Sequence, residues 1–153
     1  MTNTHVITSN GDTHFEVSTA RGPEVMIGRA LSSLDGDELF AVSLARLPEG
    51  RSLADRLPQD WPASFLQSAG TAERMTIEMR TARDGSDADA EHVVVGREAA
   101  GAPRPVVVRW PGGSQQVRDS EVFAAEEATR IYLHYYEHDT IPDGYVTRPL
   151  DGV

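Results

Sequence analysis

Val106-Val-Val-Arg-Trp-Pro-Gly-Gly-Ser-Gln-Gln-Val-Arg118, followed two residues later by the segment from Glu121 to Asp139, decides the fold class. The β-branched run Val106 to Trp110 breaks at Pro111-Gly-Gly-Ser114, a turn composition, and extended character resumes in Gln115 to Arg118, which predicts a hairpin. The period then changes. Ala124, Ala128, Ile131 and Tyr135 recur at i, i+4, i+7 and i+11, predicting a helix from Glu121 to Asp139 with Glu126 and Glu127 near its positive end. Pro142 and Gly144 stop that helix, and Tyr145-Val-Thr-Arg148 reads as a short closing strand. Strands that cluster before a helix, instead of alternating with helices, point to an antiparallel sheet.

Reading outward gives the same class. Two short β-prone runs flank Asn10-Gly11, a dipeptide that tolerates the positive φ angles of a tight hairpin. Pro23 suits a first helical turn, and Val25, Met26, Arg29, Ala30 and Leu34 give helical spacing up to the Asp35-Gly36-Asp37 stop. Leu39 to Leu47 reads as a strand between breakers. Residues 51–72 carry Pro58, Pro62 and the apolar cluster Trp61, Phe65 and Leu66, which predicts a short helix over an edge of the core, anchored by Trp61. Met75, Ile77 and Met79 alternate as in a strand, and His92-Val-Val-Val-Gly96 is another β-branched run. The expectation is one α+β domain over residues 1–153, mainly an antiparallel sheet with helices packed on one face.

With 153 residues, 39% of them hydrophobic and 25% charged, the chain can bury a core. It lacks cysteine, which removes disulfides, thiolate metal sites and thiol nucleophiles. All 14 basic residues are arginine, a mark of GC-rich coding and not of function. The net charge of −10 repels nucleic acid and anionic membranes; it either serves solubility alone or also speeds encounter with a basic partner. No apolar run of about 20 residues is present and the N-terminus has no secretory pattern, so a cytoplasmic location is expected.

The motifs point to binding more than to catalysis. His134-Tyr-Tyr-Glu-His138 has the H-x-x-E-H spelling of inverted zinc peptidases, but a catalytic zinc wants a third protein ligand, and two histidines on a last helical turn are also explained by the helix dipole. No nucleophile elbow, phosphate loop or dinucleotide fingerprint appears. The expectation is therefore no catalytic residue, no cofactor and no metal. Asp84, Asp87, Asp89 and Glu91 put four carboxylates in eight residues without calcium-loop spacing, leaving a solvated loop or an acidic surface for a cationic partner. Residues 119–153 hold eight carboxylates against Arg130 and Arg148, a local balance of −6. Tyr132 and Tyr136, with Phe123 and Tyr135, read first as core packing; the second reading is a binding surface, with Glu137 beside them.

The C-terminal third, from Val106-Val-Val-Arg-Trp110 through Glu121-Val-Phe-Ala-Ala-Glu-Glu-Ala128 to His134 and Pro149, resembles the tail of small immunity proteins of bacterial polymorphic toxin systems. The resemblance implies a non-catalytic inhibitor that binds a cognate toxin domain and occludes its active site, and the acidity of the chain adds the expectation that this domain is basic. It carries no functional residues with it, because such inhibitors use surfaces particular to each pair. The partner surface expected from the residues is Asp84, Asp87, Asp89, Glu91, Tyr132, Tyr136 and Glu137. The alternatives are an accessory or subunit interaction domain without a toxin partner, and a small enzyme with an unrecognised site.

Overall fold

The computed structural model describes residues 3–48, 50, 62–82, 90–99 and 101–150. The first hairpin forms as its turn chemistry requires: β1 (His5–Ser9) pairs antiparallel with β2 (Thr13–Glu16), and Asn10 and Gly11 both adopt positive φ between them. The Asn10 side chain also binds the next connection, accepting the backbone N–H groups of Phe40 and Ala41 and donating to the Glu38 carbonyl. Helix α1 (Pro23–Ser32) starts on its proline. Its buried residues are Ile27 and Leu31, while Val25 is 53% exposed, so the inward stripe is rotated from the one the sequence spacing suggested.

Five further strands complete the main sheet: β3 (Ala41–Arg46), β4 (Phe65–Ala69), β5 (Glu78–Thr81), β6 (Glu91–Arg97) and β9 (Tyr145–Pro149). The order is β2-β1-β3-β4-β5-β6-β9, with antiparallel pairing throughout. The expected helix around Phe65 and Leu66 is a strand at the middle of this sheet, with Leu66 fully buried opposite Leu44 and Met79. Two apolar residues in a row suit either state; pairing on both edges settles it. Trp61, the anchor expected for that helix, lies outside the described residues.

Strands β7 (Pro105–Trp110) and β8 (Gly113–Arg118) form a separate two-stranded ribbon. A 3-10 turn (Asp119–Glu121) follows, and Phe123 exchanges backbone hydrogen bonds with Met75 before α2 (Ala125–His138) begins. The last helix thus starts four residues after the position expected from its sequence, because Glu121 to Phe123 pass around the sheet in turn and extended form.

Alternation divides the sheet residues between two sides. Ile7, Val42, Leu44, Leu66 and Val95 join Ile27, Leu31, Ala128, Ile131 and Tyr132 in the large core under α1 and α2. On the opposite face, Val94 packs with Val108 and Val117 of the ribbon, and Val106, Trp110, Val122 and Leu150 border that smaller cluster. Gly70 shows how closely the ribbon approaches. Its φ is +123°, and an added Cβ would lie 2.3 Å from the Arg74 carbonyl oxygen and 2.9 Å from Val108, so a side chain has no room there. The chain is α+β, with both helices on one face of the sheet and the ribbon on the other; among the described residues no helix is long and apolar enough to cross a membrane.

Candidate functional site

The expected partner-binding residues are dispersed by the fold. Asp84, Asp87 and Asp89 lie outside the described residues. Glu91 is exposed at the start of β6, paired with Thr81. Glu137 is exposed near the end of α2, and Tyr136 is half-buried with its ring 4.3 Å from that of His5. Strand β1, on which Tyr136 rests, is four strand spacings from β6, or roughly 19 Å. Tyr132 cannot belong to a contact surface: it is 1% exposed, its hydroxyl is 2.8 Å from Ser68 Oγ, and burial pushes its ionisation upward. It falls on the inward stripe Ala128, Ile131, Tyr132 and Tyr135, whose i, i+3, i+4, i+7 spacing identifies it as a core residue.

His134 and His138 lie side by side, with ring centroids 4.4 Å apart and planes tilted by 47°, and His134 Nδ1 lies 2.9 Å from the Thr140 carbonyl oxygen. No group of three or more metal-ligating side chains occurs among the described residues. At the same end of the molecule His5 is buried under Tyr136, and burial, assisted by Arg46, lowers its pKa to about 4. The imidazole is neutral there, with Nδ1 hydrogen-bonded to the Thr4 hydroxyl.

The opposite end of the strands gathers a different acidic set, one that sequence distance conceals. The Asn10 turn, the α1–β3 connection and the residues after β4 meet through the Asn10 hydrogen bonds, the Asp35–Thr71 bridge and the bond from Ala72 N–H to the Leu34 carbonyl. Asp12, Asp35, Asp37, Glu38 and Glu73 are all exposed there, against Arg74 within the same three segments. The Asp35 carboxylate accepts the backbone N–H groups of Asp37 and Leu39, which hold its pKa below the usual value. These positions span 12 to 73 in sequence, so a search for charge runs does not find them.

Two further sets of charged groups are tied to one another. Arg97 donates to both Glu127 carboxylate oxygens and to the Val122 carbonyl, its guanidinium lies 4.5 Å from the centre of the Phe123 ring, and the Tyr145 hydroxyl donates to Glu127. These bonds, led by Arg97, keep the Glu127 pKa low. Glu121, 3% exposed, receives two bonds from Arg148 and one from the Arg118 N–H. Its burial is the largest influence and would raise its pKa, but these donors together outweigh it and the net shift is downward.

Between sheet and ribbon lies a pocket of about 390 Å³, walled by Gln67, Glu78, Trp110, Gln116 and Arg148 among others. Glu78 is 6% exposed. Its Oε1 accepts from His92 Nε2 at 2.8 Å and from Gln67 Nε2 at 3.3 Å. By alternation from Ile77 and Met79, Glu78 reads as a solvent-facing strand residue; the ribbon covers it, and that packing is invisible in the local pattern. In comparisons with known proteins, no family model matches the chain and no curated protein matches it significantly.

Proposed function

We propose that this chain is a non-catalytic protein-binding inhibitor of the immunity type, which neutralises a basic toxin domain by covering its active site. The observation that carries the reading is the acidic end of the sheet, where Asp12, Asp35, Asp37, Glu38 and Glu73 come together, exposed, from three separate segments. Such a surface attracts a cationic partner over a distance of about a Debye length, roughly 8 Å at physiological salt, and so raises the association rate. The resemblance of the C-terminal third to immunity proteins supports the same reading.

Asp35 also shapes its loop through backbone bonds, so the test leaves it in place. With a toxin domain encoded beside this chain as ligand, Asp12→Asn, Asp37→Asn, Glu38→Gln and Glu73→Gln together should slow association by about tenfold at low salt and flatten its salt dependence, with little change in dissociation. Neutralising Asp84, Asp87, Asp89 and Glu91 instead asks whether the β5–β6 connection makes the encounter. Association indifferent to both sets and to ionic strength, or failure of the chain to protect cells expressing that domain, refutes the reading.

A further inference from the structure

Alternation builds both walls of the pocket between sheet and ribbon. Gln67 and Ala69 of β4, Glu78 of β5 and Arg148 of β9 lie on the sheet face opposite the helices, and Trp110 and Gln115 share the ribbon side of the buried Val108 and Val117. The two charged groups on these walls are already paired. Glu78 accepts from His92 and Gln67, and Arg148 donates twice to Glu121. An ionic ligand would meet no unpaired opposite charge among these residues.

What stays open is neutral hydrogen-bonding capacity. Among the described residues the side chains of Ser114, Gln115 and Gln116 have no hydrogen-bond partner, Gln67 uses only its Nε2, and the Trp110 indole N–H meets no acceptor. A hydroxyl or a carboxamide can both donate and accept. Beside these groups Trp110, Ala69 and Leu150 supply an apolar wall. Gly113 makes room for the indole: a Cβ there would lie 2.8 Å from Trp110 Nε1 and 3.1 Å from Cε2, so the ring lies across the turn only over a bare backbone. The volume of about 390 Å³ is at the lower end of small-molecule sites, which run from roughly 300 to 1,000 Å³.

We propose that this pocket binds a neutral saccharide, one pyranose ring lying against the Trp110 indole and its hydroxyl groups bonded to Gln67, Ser114, Gln115 and Gln116. A pyranose carries an apolar C–H face and a rim of hydroxyls that each donate and accept, which matches an aromatic wall edged by carboxamides. The polar groups come from both walls and so surround a puckered ring, whereas a planar nucleobase forms hydrogen bonds only in its own plane. The inference is independent of the toxin reading, since it concerns the ribbon side and not the acidic end.

The test is a titration of the intact chain with glucose, galactose, mannose and N-acetylglucosamine, each to about 50 mM, enough to saturate a millimolar site. Cytosine serves as the planar control, and the signal is the Trp110 indole N–H resonance, assigned with Trp110→Phe. At least one of the four sugars should give saturable shifts, with an affinity at least tenfold above that of cytosine. Gln115→Ala/Gln116→Ala should weaken binding of that sugar at least tenfold, and Gly113→Ala, which pushes the indole aside, should do the same. No saturable shift with any of the four, cytosine binding as tightly as the best of them, or undiminished binding in either variant overturns the proposal. The first two outcomes need only the parent chain, so a poorly folded variant does not shield it. Because no toxin domain is present, failure here leaves the inhibitor reading standing, and failure of toxin binding leaves this titration interpretable.

Discussion

The two faces of the sheet are held by different physics. Under α1 and α2, sixteen buried residues from both helices, from β1, β3, β4 and β6 and from the connections form one continuous cluster, and the polar groups inside it are neutral: Tyr132 bonded to Ser68, and His5 kept uncharged by burial. Under the ribbon, three buried valines form the cluster, and the neighbouring carboxylates Glu78 and Glu121 are held by hydrogen bonds and, for Glu121, by Arg148. Apolar burial accumulates with area and excludes water, whereas a small core bordered by charged groups leaves space for it. The comparison teaches that stability resides mainly on the helix face and that open, chemically differentiated space resides on the ribbon face.

The largest test of this contrast is a pair of truncations. Ile131→Ala, in the fully buried helix-face core, should cost about 2 to 5 kcal/mol, while Val117→Ala under the ribbon should cost about 1 to 2 kcal/mol. Denaturant unfolding of both variants decides it, and equal costs would dissolve the distinction.

Acid titration sharpens the contrast, because the faces should fail at different pH. His5 has a folded pKa of about 4 against an ordinary histidine value of 6.5, so between these values the unfolded chain binds more protons than the folded one. Its contribution is complete above pH 6.5 and is lost as pH falls toward 4, amounting to about 3 kcal/mol. On the ribbon face Glu121 has a folded pKa below the ordinary carboxylate value, so its contribution persists above that value and disappears only as pH falls through the depressed one. His5→Phe, which retains a ring against Tyr136, should flatten the stability profile between pH 6.5 and 4 and leave the more acidic loss in place. An unchanged profile in that variant would show that His5 does not govern it.

The last test is on the ribbon face itself. Glu121→Gln, which keeps the shape but removes the charge opposed to Arg148, should cost about 1 to 3 kcal/mol at neutral pH, since Arg148 remains partly in water. A loss below about 0.5 kcal/mol, measured by denaturant unfolding, would mean that the valines and not the ion pair fix the turn against the sheet.

Local pattern by itself determined the Asn10-Gly11 hairpin, the helix opening on Pro23, the strands around Met79, Val94 and Val107, the inward positions Ala128, Ile131 and Tyr135, and the α+β class. Each depends on neighbours within a few residues, through turn dihedrals, proline geometry or the period of apolar side chains. Tertiary structure alone decided that Phe65 to Ala69 is a central strand, that Glu121 leaves the helix to meet Arg148, and that Asp12, Asp37 and Glu73 share one end of the sheet. It also buried Glu78, by laying β7 and β8 across a strand face whose alternation marks it as exposed. Sequence periodicity records which side of a strand a residue occupies; whether water or another part of the chain covers that side is set by contacts between segments far apart in sequence.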